Sequence, residues 1–250
     1  MPLIDHPTGD YRFLPGIAPY SCGVVSKPGF EIIHVTLQQP PPYRRGLERV
    51  AEFLDAANRR RTALCGISLR SPRPYTFQGF ADFNAEYAAI LKDWDLFVDG
   101  VNPIARTNVA PVINPPSEPV LYGFSFVGPC AANYPCTFVV AGAGELPEGI
   151  LSREAIVSLG DTSTAGLVHK AQFVMDLMET RLRGLGVDWS MVNTVNAYTE
   201  HSLTPLLPTM LERIGAAGIH GANWHYARPP IDEIEYEMDI RGTRTELTWL

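Results

Sequence analysis

Residues 160–186 read GDTSTAGLVHKAQFVMDLMETRLRGLG, and the spacing of their apolar side chains decides what kind of fold the chain can form. Leu167, Ala171, Val174, Met178, Leu182 and Leu185 recur at three- and four-residue steps, which lines them up on one face of a helix. Asp161 stands where an N-cap belongs, and Gly184 to Gly186 end the stripe as helix ends do. The same spacing predicts three more amphipathic helices. One carries Leu47, Val50, Ala51, Leu54 and Ala57. Another is entered through Gln78-Gly79 and carries Phe80, Phe83, Tyr87, Ile90 or Leu91, and Trp94. The last carries Leu207, Met210, Leu211 and Ile214 and ends near Gly215 to Gly218. Between them, strand-like runs bounded by Gly and Pro fall at 31–37, 63–69, 105–113, 120–127, 137–141, 192–199 and 234–240. The order strand, helix, strand, helix, strand therefore occurs twice. GPCAANYPC, residues 128–136, is the expected seam between halves 1–130 and 131–250.

At 250 residues the chain can bury a sizeable core, and with 46% hydrophobic and 19% charged residues it reads as globular. No apolar run approaches the ~18 residues a membrane span needs. A net charge of −7 opposes a nucleic-acid groove. Cys22, Cys65, Cys130 and Cys136 are spaced like neither a metal site nor a disulfide framework, so a cytoplasmic location is the default expectation. No glycine-rich phosphate loop follows a strand, so no nucleotide cofactor is expected. The spacings of His201, His220 and His225 match no zinc motif, and no metal is expected either.

Two stretches carry a family resemblance. PGIAPYSCGVVSKPGFEIIHVTLQQPPP at 15–42 is similar to the N-terminal signature of the Rid (YjgF-type) enamine and imine deaminases. NPIARTNVAPVINPPSEPVLYGFSF at 102–126 is similar to that family's later signature. The second half resembles another copy, closing on HYARPPIDEIEYEMDI at 225–240. The resemblance implies an α+β fold of two chorismate-mutase-like (Rid-like) halves, each a mixed β-sheet packed by two helices on one face. It also implies a homotrimer forming a pseudo-hexameric ring. Carried over by motif, Arg106 binds the substrate carboxylate, Tyr20 lines the same pocket, and Glu235 manages water and protons. The first copy has Leu121 where the glutamate belongs, and the second has Gly221-Ala222 where the arginine belongs. A composite site, with Arg106 and Tyr20 from one copy and Glu235 from another, is the expectation.

The implied reaction is hydrolytic deamination of a carboxylate-bearing enamine or imine. Among substrates of deaminases resembling this family, 2-aminomuconate and its chlorinated relatives suit a large two-copy chain. A guanidinium fits the recognition step because its planar fork makes two parallel hydrogen bonds to a carboxylate. Asn108, Trp224 and Arg228 complete the expected substrate contacts. Each residue also has a plainer reading: Arg106 as a salt-bridged strand residue, Tyr20 as an anchor, Trp224 as packing, and Arg228 as a loop shaper paired with glutamates. Glu235 and Glu237, two apart, would share one exposed strand face. Tyr122 serves either in the last strand of the first copy, the preferred reading, or as the tyrosine of the second. RSPRPYTF, 70–77, is either a solvated turn or a source of arginines for a second carboxylate. A non-catalytic carboxylate-binding module and a ribonuclease are the competing functions.

Overall fold

The computed structural model describes residues 2–250, and its elements follow the local signals closely where those signals are strong. The longest helix, α3, covers Thr164–Leu185. Its N-cap is Ser163, whose side chain accepts a hydrogen bond from Gly166 N, while Asp161 sits two residues outside and accepts from Ser163 N. It ends at Gly186 in the left-handed conformation, φ 76°, which glycine adopts without strain. Helix α2 (Phe77–Asp93) starts at the Thr76 cap, and α1 (Tyr43–Ala56) and α4 (Leu207–Ile214) complete the set.

Two mixed sheets face each other. The first is built around β4 (Phe30–Leu37), β5 (Leu64–Arg70), β6 (Ala105–Pro111) and β7 (Val120–Pro129). The second is built around β8 (Phe138–Gly144), β9 (Thr194–Tyr198), β10 (Asn223–His225) and β12 (Glu237–Gly242). The central strands run β6-β5-β7-β4 in one and β10-β9-β12-β8 in the other, so the same order is written twice. Helices α1 and α2 cover the outer face of the first sheet, packing Leu47, Val50, Leu54, Tyr87 and Leu91 on Val35, Ile67, Leu69 and Phe124. Helices α3 and α4 do the same for the second through Val174, Met178, Leu182 and Met210. Each fully buried aliphatic side chain of these layers stabilises the fold by about 1.5–3 kcal/mol relative to exposure. Among the described residues no helix is long and apolar enough to cross a membrane.

The expectation of two chorismate-mutase-like halves, each closing its own sheet, is corrected by the terminal strands. Strands β1 (Ile4–Asp5), β2 (Tyr11–Leu14) and β3 (Gly23–Ser26) belong to the first half of the sequence, yet β3 pairs antiparallel with β8 of the second sheet. In the other direction, β11 (Ala227–Arg228) pairs with β6, and β13 (Thr245–Trp249) runs parallel to β4, both in the first sheet. The physical reason is the layer between the sheets. Tyr11, Phe13 and Val24 of the second sheet are fully buried there against Ile32, Cys65, Ala105 and Val127 of the first, with Ala141 beside them, an apolar contact neither sheet makes alone. At the opposite end the inter-sheet layer turns polar, with His34, Arg70, Asn196 and Asp239 all buried.

Candidate active site

The cavity with the most chemistry opens where the β6 end of the first sheet meets β8, β12 and the 145–151 loop of the second half. Its walls include Tyr20, Arg106, Asn108, Glu148, Arg181 and Glu237 among apolar side chains such as Phe80, Leu146, Ile231 and Ile234.

Arg106 is only 3% exposed. Asn84 on α2 accepts a hydrogen bond from Nη2 at 2.7 Å, and the guanidinium lies over the rings of Tyr20 at 4.7 Å and Tyr87 at 4.9 Å. Burial pushes its pKa down. Among the described residues no carboxylate is hydrogen-bonded to it, and buried Nη1 has no partner. Asn108, two residues along the same strand, accepts from Ser71 Oγ at 2.9 Å through Oδ1, and its buried Nδ2 has no acceptor among the described residues. Two orphaned donors on one strand, lining one cavity, are a costly arrangement that an anionic ligand with two oxygens relieves.

The stretch PGIAPYS, residues 15–21, is pinned beside this strand. Asn102 Nδ2 donates to Pro19 O at 2.7 Å, Ser21 N to Ile104 O at 2.9 Å, and Ser21 Oγ to Pro103 O at 3.0 Å. These bonds hold Tyr20 against Arg106. Burial raises the Tyr20 hydroxyl to about 12, so it stays protonated at neutral pH.

The second half supplies the carboxylates. Glu237 opens β12, is 3% exposed, and has a pKa raised well above the usual range, first by burial and then by Asp239, with Arg106 and Arg181 opposing. Room for it comes from Gly142, where any Cβ would collide with Oε1 of Glu237. Arg181 on α3 is 4% exposed and forms a forked pair with Glu148, Nη2 to Oε1 at 3.0 Å and Nε to Oε2 at 3.1 Å, while Nη1 donates to Ala141 O at 2.9 Å. The loop carrying Glu148 is anchored by a fully buried ion pair, Lys170 to Glu145 at 3.1 Å. Glu145 also accepts from Glu235 N at 2.7 Å and Tyr236 N at 3.0 Å, which fixes the approach to Glu237.

Tyr20, Arg106 and Asn108 thus meet in one cavity. Glu235, Trp224 and Arg228 do not join them. The strand begins at Glu237, so the alternation that would have put Glu235 and Glu237 on one face does not apply. Glu235 instead accepts from His201 Nε2 at 2.8 Å, on a separate surface with Arg228. Arg228 pairs with Glu200 at 3.2 Å, without hydrogen-bond alignment of Nε. Trp224 is half exposed on β10 and donates Nε1 to Thr199 O at 3.0 Å. Ligand atoms of Glu200, His201 and Glu235 lie within 4.8 Å of one another, but the Arg228 guanidinium already supplies the cation there. Sequence reading missed Arg181 and Glu148. The available signal for Arg181 was a cation beside Met178 and Leu182 on an apolar helix stripe.

The fold and site can be set beside known proteins. Over 96% of this chain and 78% of the other, the structure is similar to a chorismatase, with a TM-score of 0.50 and 13% identity. A cyanuric acid hydrolase from A. caulinodans is more distant, covering 87% of this chain and 68% of that one at a TM-score of 0.40 and 10% identity. The chorismatase likeness completes the correction above, because that fold differs from the chorismate-mutase-like one expected. In sequence, the chain is 40% identical over 241 residues to the 2-amino-5-chloromuconate deaminase of Comamonas testosteroni, covering 95% of each. These matches do not confirm the Rid resemblance. Residues 3–247 match the model of the 2-aminomuconate deaminase family CnbZ, and the chain belongs to that family.

Proposed function

We propose that this enzyme releases ammonia hydrolytically from an aminomuconate-type substrate, a diene dicarboxylate whose amino group sits beside one carboxylate. What supports the reading most is the pair of unpartnered buried donors, Arg106 Nη1 and Asn108 Nδ2, in a cavity that also holds an acid kept toward its neutral form. The carboxylate beside the amino group accepts from both donors, which fixes the plane of the reacting carbon. Phe80, Leu146, Ile231 and Ile234 cover the apolar diene, and Arg181, held by Glu148, forms the cationic side of the cavity wall.

Glu237 starts protonated. It gives its proton to the enamine carbon, and the electron pair of that double bond leaves an iminium on the carbon bearing nitrogen. The Glu237 carboxylate then takes a proton from the water that attacks this carbon, giving a tetrahedral amino alcohol. Next it returns that proton to the nitrogen. As the C–N bond breaks, it takes the hydroxyl proton, leaving a ketone, free ammonia and Glu237 protonated again. Water is consumed and no external acid or base is needed. Positioned acid-base chemistry of this kind contributes about 100- to 10,000-fold. A homotrimer, expected from the resemblance, remains part of the proposal and would read as three times the 27.6 kDa chain by light scattering.

The test is ammonia release from 2-aminomuconate and its 5-chloro analogue. Arg106→Met is expected to lower kcat/KM by about 100-fold or more, because it loses both a charge-assisted pair and the orientation that pair gives the reacting carbon. No ammonia from either substrate, or a wild-type Arg106→Met enzyme, would overturn the reading.

A further inference from the structure

The arginines of RSPRPYTF, residues 70–77, take no part in the cavity above. Arg70 closes β5 and is 8% exposed, and its Nη1 donates to the backbone carbonyl of Leu69 at 2.9 Å, not to a carboxylate. Its guanidinium lies 3.9 Å from the Tyr122 ring centroid and 5.5 Å from that of Tyr198. These side chains line a second cavity, of about 130 Å³, between the two sheets. His34 and Asn196 form further wall. Asp239 also faces it, but its two oxygens already accept from Asn196 at 2.8 Å and from Tyr198 at 2.7 Å. They do not pair with Arg70. Burial holds the two imidazoles of the cavity, His34 and His225, toward the neutral form.

The arrangement repeats that of the first cavity: Arg70, Tyr122 and Asp239 stand here as Arg106, Tyr20 and Glu237 stand there. Tyr122, assigned from sequence either to the last strand of one copy or to the pocket of the other, lies in β7 and also walls the second cavity. One difference decides the role. The first cavity holds a buried acid with no donor hydrogen-bonded to it among the described residues, whereas both Asp239 oxygens are tied to Asn196 and Tyr198, which hold it as a structural acceptor. We propose that the second cavity is a binding site for a small carboxylate of a few carbons, gripped by the free edge of the Arg70 guanidinium. It binds without reacting. This proposal does not rest on the deaminase reading.

The test is calorimetric titration of the full chain with fumarate, run in an Arg106→Met background so that the first cavity is silenced. Binding should persist there and weaken by at least about tenfold when Arg70→Met is added, the usual loss for one charge-assisted pair. Arg70→Met alone should leave ammonia release from 2-aminomuconate intact. Should Arg70→Met fail to fold, Asn223→Asp at the exposed mouth of the cavity tests the same site, because it places a negative charge where the anion enters. It too should weaken fumarate. No binding up to about 10 mM in the Arg106→Met background, or binding unmoved by either change, would overturn the proposal.

Discussion

At the scale of single residues the account turns on two side chains that are expensive to keep as they are. Arg106 is a buried cation with a donor that none of the described residues satisfies, and Glu237 is a buried acid whose neutral form burial favours. Buried ionisable groups of this sort cluster at functional sites because selection retains their cost there. The raised pKa of Glu237 makes a prediction with a definite sign. If the free enzyme reacts with Glu237 protonated, kcat/KM is full below that raised pKa and falls as pH climbs through it. In stability, a raised folded pKa means a contribution that is present below the ordinary carboxylate value and lost on the same upward passage. Glu237→Gln, a fixed mimic of the neutral acid, should therefore unfold no earlier than wild type at pH 8 while losing the pH dependence of kcat/KM. Thermal melts and a pH-rate profile check both. A variant that melts much earlier at pH 8 would mean that Glu237 is ionised and structurally engaged instead.

At the scale of elements, Gly142 on β8 and Glu237 on β12 form one unit. Neighbouring strands place them so that only a glycine leaves space for the carboxyl. Gly142→Ala should keep the fold, read by near-ultraviolet circular dichroism, and lower kcat by about tenfold or more, since small misplacements of a catalytic group are costly. A wild-type kcat in that variant would contradict the placement of Glu237. What sequence could and could not show follows from the same geometry. Helix faces at three- and four-residue spacing were readable because periodicity is a local property, and α3 begins within a turn of Asp161 and ends at Gly186 as read. Arg106, Tyr20 and Asn108 were readable because a short motif holds them. Glu235 and Glu237 were not separable, because the choice depends on where β12 starts, and that is set by Glu145, some 90 residues away, capping the backbone at 235 and 236. The short strands β1, β2, β3, β10, β11 and β13 were missed since what makes them strands is the sheet they join, not their own composition.

At the scale of the whole molecule, the two sheets are stitched by exchanged ends. The first strands of the sequence extend the second sheet, and β13 near the C-terminus extends the first. The proposed active site lies on that seam. Its carboxylate-binding residues come from β6 and from the stretch around Tyr20, and its acid and second cation come from β12 and α3. A site composed across the two halves was expected from the sequence. The structure assembles it within one chain and puts Glu237, rather than Glu235, in the cavity. The most direct test compares ammonia release from 2-aminomuconate by wild type, Glu237→Gln and Glu235→Gln under identical conditions. The account predicts that Glu237→Gln lowers kcat by about 100-fold or more, the scale of a lost general acid, while Glu235→Gln stays within about threefold of wild type, as surface changes away from the chemistry do. The reverse pattern, with Glu235→Gln inactive and Glu237→Gln unaffected, would contradict it.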